Sequence, residues 1–365
     1  MRRGKASRGR GFVKAAMALP QIVPSTPLRP LEWVTPPARR EAVLIESQAD
    51  QDGPLAADVY RLGGQRRRPG IVMALGANDL GSRDPRAVAL ADTLARSGFV
   101  VLVMSGAPML NTPENNDPSD LVRAPGRAIV AFDYLAQRPD VDAARVGFVG
   151  VCLGGGTCLL AASQPAVAER VGFVYLIGPY YSLHSLVSAA ASGTSVDENG
   201  RTRRWPVGAY GLGRLRAWLL QALDAEDRAR VRRALELGET APDDLSPAGS
   251  ATLQLCRGVS LGRADALISL LDERFQATLT AASPKGQLAG LRAPTFILHG
   301  RADHLVPVEE SRRLACALLG QVPVNALELE LFEHVDATRR LRPGAFAREV
   351  WRLAGHVALL MQFAG

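Results

Sequence analysis

A glycine-flanked cysteine at the end of an apolar strand constrains this chain more than any other feature. Gly150-Val151-Cys152-Leu153-Gly154-Gly155 follows the run Val146-Gly147-Phe148-Val149 and precedes a small-residue segment, 156–162, that suits a helix. Strand, sharp turn and helix in that order project the apex side chain off the end of a sheet. The turn needs glycine around it because the apex backbone is strained and lies close to the next helix. Gly150, Gly154 and Gly155 are therefore the structural residues of the turn, and Cys152 is a candidate covalent nucleophile. Glycine-rich turns that cradle phosphates carry G-x-x-x-x-G-K-[ST] or G-x-G-x-x-G, and this one carries neither. A cysteine that is merely packed is the remaining alternative, because free cysteine is among the most buried residue types.

The rest of the pattern alternates strands with helices. Extended segments are expected at 41–47 and 55–62, and continuous apolar runs at 71–75, 99–104, 146–151 and 171–177 read as buried strands. Helices are expected at 85–97 and 119–137. The alternation stops at Pro179 and resumes with a strand at 294–298, a helix at 308–319, a strand at 325–332 and a terminal helix at 344–363. Such alternation predicts an α/β fold with a mostly parallel central sheet flanked by helices. Between 181 and 288 the signals are helical, notably 214–237 and 261–280, so a helical cap or lid insertion is expected there. The core then comprises 41–180 and 289–365. Residues 1–40, with prolines at 20, 24, 27, 30, 36 and 37, read as an extended, disordered basic arm.

Charge adds little to this. The net charge is +7, yet Arg2, Arg3, Lys5, Arg8, Arg10 and Lys14 supply six of those charges in a stretch without acids, leaving +1 over the remainder. The basic character belongs to the arm and not to a face, so no nucleic-acid partner is expected. Four cysteines without C-x-x-C spacing indicate neither a disulfide framework nor a metal site. No run reaches the ~20 apolar residues of a membrane span. The expected location is cytoplasmic, with export or peripheral membrane contact through the basic arm as the alternatives. No metal or organic cofactor is indicated.

A nucleophilic thiol needs a base, and the base needs a partner that holds its tautomer. Asp303 lies just past the strand 294–298, and His334 just past the strand 325–332. Nucleophile, acid and histidine thus follow three strand ends, where open parallel sheets place their ligands. His299 suits a structural hydrogen bond, His304 on its loop is expected to point away from the adjacent Asp303, and His184 and His356 lie in the insertion and the terminal helix.

The pattern resembles the alpha/beta-hydrolase superfamily. The cysteine turn with Arg145-Val146-Gly147-Phe148-Val149 before it, and His299-Gly300-x-x-Asp303-x-x-Val306-Pro307, resemble the dienelactone hydrolase family of Cys-His-Asp type. The resemblance implies a catalytic triad of Cys152, Asp303 and His334. It also implies an oxyanion hole formed by the amide of Leu153 and by Ala77 or Asn78. The reaction it implies is hydrolysis of a small-molecule carboxylic ester, lactone or thioester through a cysteine thioester, as in an esterase. Small dienelactone hydrolases have no insertion like 181–288, and their glutamate after the third strand has no evident counterpart. The elbow and the Asp303-His304-Leu305-Val306-Pro307 segment also resemble polyhydroxyalkanoate synthases, whose chemistry would be acyl transfer to a hydroxyl. A non-catalytic binding protein on the same fold is the third reading.

Overall fold

The runs read as strands are strands, and the central ones are buried on both faces. The computed structural model describes residues 2–22, 28–46, 53–64, 66–76, 80–105, 119–334 and 341–364. Two helices, α1 (Arg2–Ile22) and α2 (Pro30–Val34), precede strands β1 (Arg39–Ile45), β2 (Leu55–Arg61) and β3 (Arg68–Ala74). Then come α3 (Pro85–Arg96), β4 (Val100–Met104), α4 (Ser119–Gln137), β5 (Val141–Val151), α5 (Leu153–Ala162) and β6 (Val174–Ile177). After a long insertion the chain returns through β9 (Thr295–Gly300), α12 (Val308–Leu318), β10 (Val324–Leu329) and α13 (Pro343–Met361). These strands form one eight-stranded sheet ordered β1-β2-β4-β3-β5-β6-β9-β10. β2 runs antiparallel to both its neighbours, and the other pairs are parallel.

Alternation along the strands feeds two cores. Val72, Phe148, Leu176 and Ile297 pack on one face with Phe132 and Leu135 of α4 and Leu159 of α5. Ile71, Met73, Val149, Tyr175 and Leu298 pack on the other with Leu94 of α3 and Leu353 and Met361 of α13. Cys152 falls at the seam, one residue beyond β5 and one before α5. Burial on both faces fixes the register of β5, because a slip by one residue would exchange every side chain between the two cores.

The insertion contains α6 (Leu183–Ser192), a hairpin of β7 (Thr194–Val196) and β8 (Thr202–Arg204), then α7 (Ala209–Gln221) and α8 (Ala225–Leu237). It continues with α9 (Pro247–Arg257), α10 (Leu261–Ile268) and α11 (Glu273–Ala281). The single helices expected at 214–237 and 261–280 are each two. Asp224 accepts hydrogen bonds from the amides of Glu226 and Asp227, both at 2.9 Å, and Asp272 accepts one from Arg274 at 2.8 Å. Each aspartate caps a new helix and stops the old one. Leu183, Val187, Trp205, Leu219 and Phe275 give the insertion its own core. The insertion is tied to the sheet domain through Glu310 of α12, which is fully buried. Its carboxylate accepts from the amides of Tyr181 and Ser182 (2.8 and 2.9 Å) and from the Ser185 hydroxyl (2.7 Å), and it pairs with Arg313. Four partners satisfy a group that would be costly to bury alone.

The N-terminal segment departs from expectation. Where an extended arm is expected over 1–40, the described residues are instead mostly helical, with α1 lying against α13. Gly11, Ala15 and Ala18 recur at helical spacing and are buried. A side chain at Gly11 would stand 2.8 Å from the Ala358 carbonyl, so the two helices approach at backbone distance. Phe12 packs on Trp351, and Lys14 donates to the carbonyls of Ser97 and Ala364 at 2.9 and 2.8 Å. The prolines that suggested an arm begin only at position 20, at the end of this helix.

No helix among the described residues is long and apolar enough to cross a membrane.

Candidate active site

The turn after β5 forces Cys152 into an unusual backbone. Its φ is 54° and ψ −121°, while its amide bonds the Ile177 carbonyl at 2.8 Å and its carbonyl accepts from Gly155 at 2.9 Å. The flanking glycines are required by close approach. A Cβ at Gly150 would lie 2.6 Å from the Gly155 Cα, and one at Gly154 only 2.2 Å from the Ala74 carbonyl oxygen. Backbone lies on the far side in both cases, so nothing flexible can yield. Gly154→Ala is therefore expected to cost about 3 kcal/mol of stability. A urea-unfolding midpoint equal to wild type would show that α5 can pivot to make room.

His334 follows β10 on a short turn with φ 62°. Its Nδ1 lies 2.8 Å from Asp303 Oδ2, and its ring is also within hydrogen-bonding reach of the Cys152 side chain. The structure thus brings together the three residues expected from the strand ends. A carboxylate only accepts, so His334 Nδ1–H donates to Asp303 and Nε2 is left to face the sulfur. Burial alone would push the His334 pKa down. The charges of Asp303 and Cys152 outweigh it and hold the imidazole well above its ordinary value. Burial likewise opposes ionisation of Asp303, but His334 and His299 beside it keep the carboxyl far below its ordinary range.

Asp303 is held on every side. Oδ1 accepts from the amides of Leu305 and Val306 at 2.8 and 3.0 Å, and its backbone carbonyl accepts from the Trp205 indole at 2.7 Å. His299 Nε2 sits 3.0 Å from the Val306 carbonyl and 3.3 Å from Asp303 Oδ2. The structural hydrogen bond expected of His299 therefore bears directly on this carboxylate. Sequence reasoning missed Trp205, because nothing local marks an indole in the insertion as the partner of a carbonyl almost a hundred residues away.

The other candidates separate cleanly. His356 bonds the Tyr175 hydroxyl at 2.9 Å, and burial pushes its pKa down to about 4. His184 lies near Asp265 on the surface. His304 lines the cavity beside His334. Burial pushes the thiols of Cys158 and Cys256 up to about 12, so they stay protonated. Cys152 instead borders two cavities, one of about 700 Å³ shared with His334 and one of about 130 Å³ beneath the insertion. Leu153, expected as an oxyanion donor, is the first residue of α5, so its amide is free of intrahelical bonding. Ala77 and Asn78, the other expected donors, lie outside the described residues. Among the described residues no group of three His, Cys, Asp or Glu is gathered to hold a metal.

Sheet order, strand directions and a strand–turn–helix elbow with acid and histidine after later strands define an alpha/beta-hydrolase fold. Solved structures agree. The chain superposes on an esterase from Pyrobaculum calidifontis with a TM-score of 0.51 at 17% identity, covering 98% of this chain and 92% of that one. It superposes on the acylaminoacyl peptidase of Pyrococcus horikoshii with a TM-score of 0.52 at 14% identity, covering 87% of this chain and 41% of that one. In sequence, 97 residues are 32% identical to a probable 2-oxo-3-(5-oxofuran-2-ylidene)propanoate lactonase of Bradyrhizobium. That match spans 23% of this chain and 38% of the lactonase. No family model matches the chain.

Proposed function

We propose that this protein is a hydrolase that cleaves a carboxylic ester, lactone or thioester through Cys152, with His334 as general base and acid and Asp303 as its orienting carboxylate. The observation that carries this reading is the linked set itself: a thiol at a strained apex, reached by an imidazole whose far nitrogen is fixed by a buried carboxylate. The short sequence match to a lactonase agrees with ester-type chemistry.

The reaction runs in two halves. Cys152 gives its proton to His334 Nε2, and the sulfur bonds the substrate carbonyl carbon. The oxyanion that forms faces the Leu153 amide at the positive end of α5. A well-placed donor of this kind contributes about 3–4 kcal/mol to barrier lowering. As the carbon–oxygen or carbon–sulfur bond breaks, His334 returns the proton to the departing alcohol or thiol. Water then attacks the thioester, giving one proton to His334 while the second leaves with the carboxylic acid, and the Cys152 thiol is restored. The helical insertion acts as a cap over the cysteine, and the Trp205 bond couples that cap to the Asp303 loop.

A panel of p-nitrophenyl esters, small lactones and acyl-thioesters tests the reading. Free acid should appear with wild type and vanish with Cys152→Ala. Turnover that survives the substitution would end the proposal, and acylated product in place of free acid would favour transfer to a hydroxyl.

A further inference from the structure

Cys152 stands where two unequal cavities meet. The larger, about 700 Å³, runs from the sulfur past Leu75 and His334 along the sheet face covered by α3 and α13, reaching Leu19 of α1 and Met361. The smaller, about 130 Å³, lies under the insertion against Leu183, Val187, Leu215 and Trp218. Cys152, Tyr210 and Leu305 border both; among the described residues His334 borders only the larger and Leu153 only the smaller.

We infer that the small cavity is the acyl site and the large one the leaving-group site, so that the preferred substrate joins a short acyl group to a bulky apolar alcohol or thiol. The inference rests on the catalytic reading above and adds the substrate class. Its logic follows from the four substituents of the tetrahedral carbon. One is the Cys152 sulfur, and one is the oxyanion at the Leu153 amide. The departing heteroatom must receive its proton from His334, so it lies on the side that His334 borders. The remaining direction leads under α6 and α7, into the space walled by Leu183 and Val187. A water-sized group takes about 30 Å³. The small cavity therefore holds roughly four carbon-sized units, a butyryl group or its branched equivalents. The large cavity lies well inside the ~300–1,000 Å³ typical of small-molecule sites and holds on the order of twenty such units.

Leu183 and Val187 are buried, and they set the acyl limit by steric exclusion. Three of the four terms of the geometry are thus supplied by the sheet domain, and the acyl limit by the insertion.

The test is a matrix of esters in which acyl length runs from acetyl to decanoyl with p-nitrophenol constant, and alcohol size runs from methyl to naphthyl with butyryl constant. For wild type, kcat/KM should peak at or below about five acyl carbons and fall at least tenfold by octanoyl, while rising from methyl to naphthyl. Val187→Ala should move the acyl optimum two or more carbons longer and leave the alcohol preference unchanged. Leu90→Trp, on the α3 wall of the large cavity, should penalise naphthyl and not methyl butyrate. Together these two variants keep the result readable if either folds poorly. Cys152-dependent turnover that rises with acyl length, or a Val187→Ala optimum that stays in place, overturns the assignment of the cavities alone. Absence of any Cys152-dependent turnover removes the catalytic reading, and this assignment with it.

Discussion

Cys152→Ala is expected to reduce kcat/KM on any accepted ester by about ten-thousand-fold or more while leaving the fold intact. Losses of this size accompany removal of a nucleophile whose partners act as one unit, and the residue left behind cannot form the acyl-enzyme. Alanine fits the same space and removes only the sulfur, so stability should change little. Steady-state kinetics and thermal melting on the same preparation check both halves. Iodoacetamide at neutral pH should block activity by alkylating Cys152 and leave Cys158 and Cys256 unmodified, since burial holds those two near 12; the exposed Cys316 is also open to the reagent, so its alkylation alone should leave activity in place. A mass spectrum with Cys256 modified and Cys152 untouched would remove the basis for a nucleophilic role.

Asp303→Asn is expected to cost about ten-thousand-fold in kcat, because an amide can present the wrong group to Nδ1 and fix the wrong tautomer of His334. It also has a pH signature. The folded pKa of Asp303 lies below its ordinary value of 3.8, so its contribution to stability is present above that value and is lost as pH falls through the folded pKa. The folded pKa of His334 lies above its ordinary value of 6.5, so its contribution is complete below 6.5 and is lost as pH rises through the folded pKa. The pair therefore stabilises most between roughly pH 4 and 6.5. Thermal melts of wild type and Asp303→Asn should differ most in that window and converge at higher pH. A constant difference across the range would mean that the carboxylate and imidazole do not titrate as coupled partners.

Most of the scaffold was legible because the residues that build it declare themselves locally. Val100–Met104 is apolar at every position, and only a strand covered on both faces asks for that. Cys152, Asp303 and His334 could be picked out because each follows such a strand and parallel topology sends all three strand ends to one edge. What stayed hidden depended on contacts distant in sequence. The Gly11, Ala15 and Ala18 ridge is too weakly hydrophobic to announce a helix by periodicity, and its stability comes from α13 more than three hundred residues later. Trp205 and Glu310 are polar or amphipathic residues whose partners belong to other elements. Helix breaks at Asp224 and Asp272 were readable from their capping chemistry, but the apolar spacing on either side masked them.

The backbone takes a positive φ at Cys152 and His334. Among the described residues these are the non-glycine positions with positive φ, at 54° and 62°. An L-residue in that half of conformational space sacrifices on the order of 1 kcal/mol against glycine. A lineage selected for endurance alone would drift toward glycine at both places and lose the thiol and the imidazole. Cys152→Gly should accordingly melt above Cys152→Ala, and the gap between the two variants would measure how much thermal robustness the protein forgoes to keep its sulfur aloft.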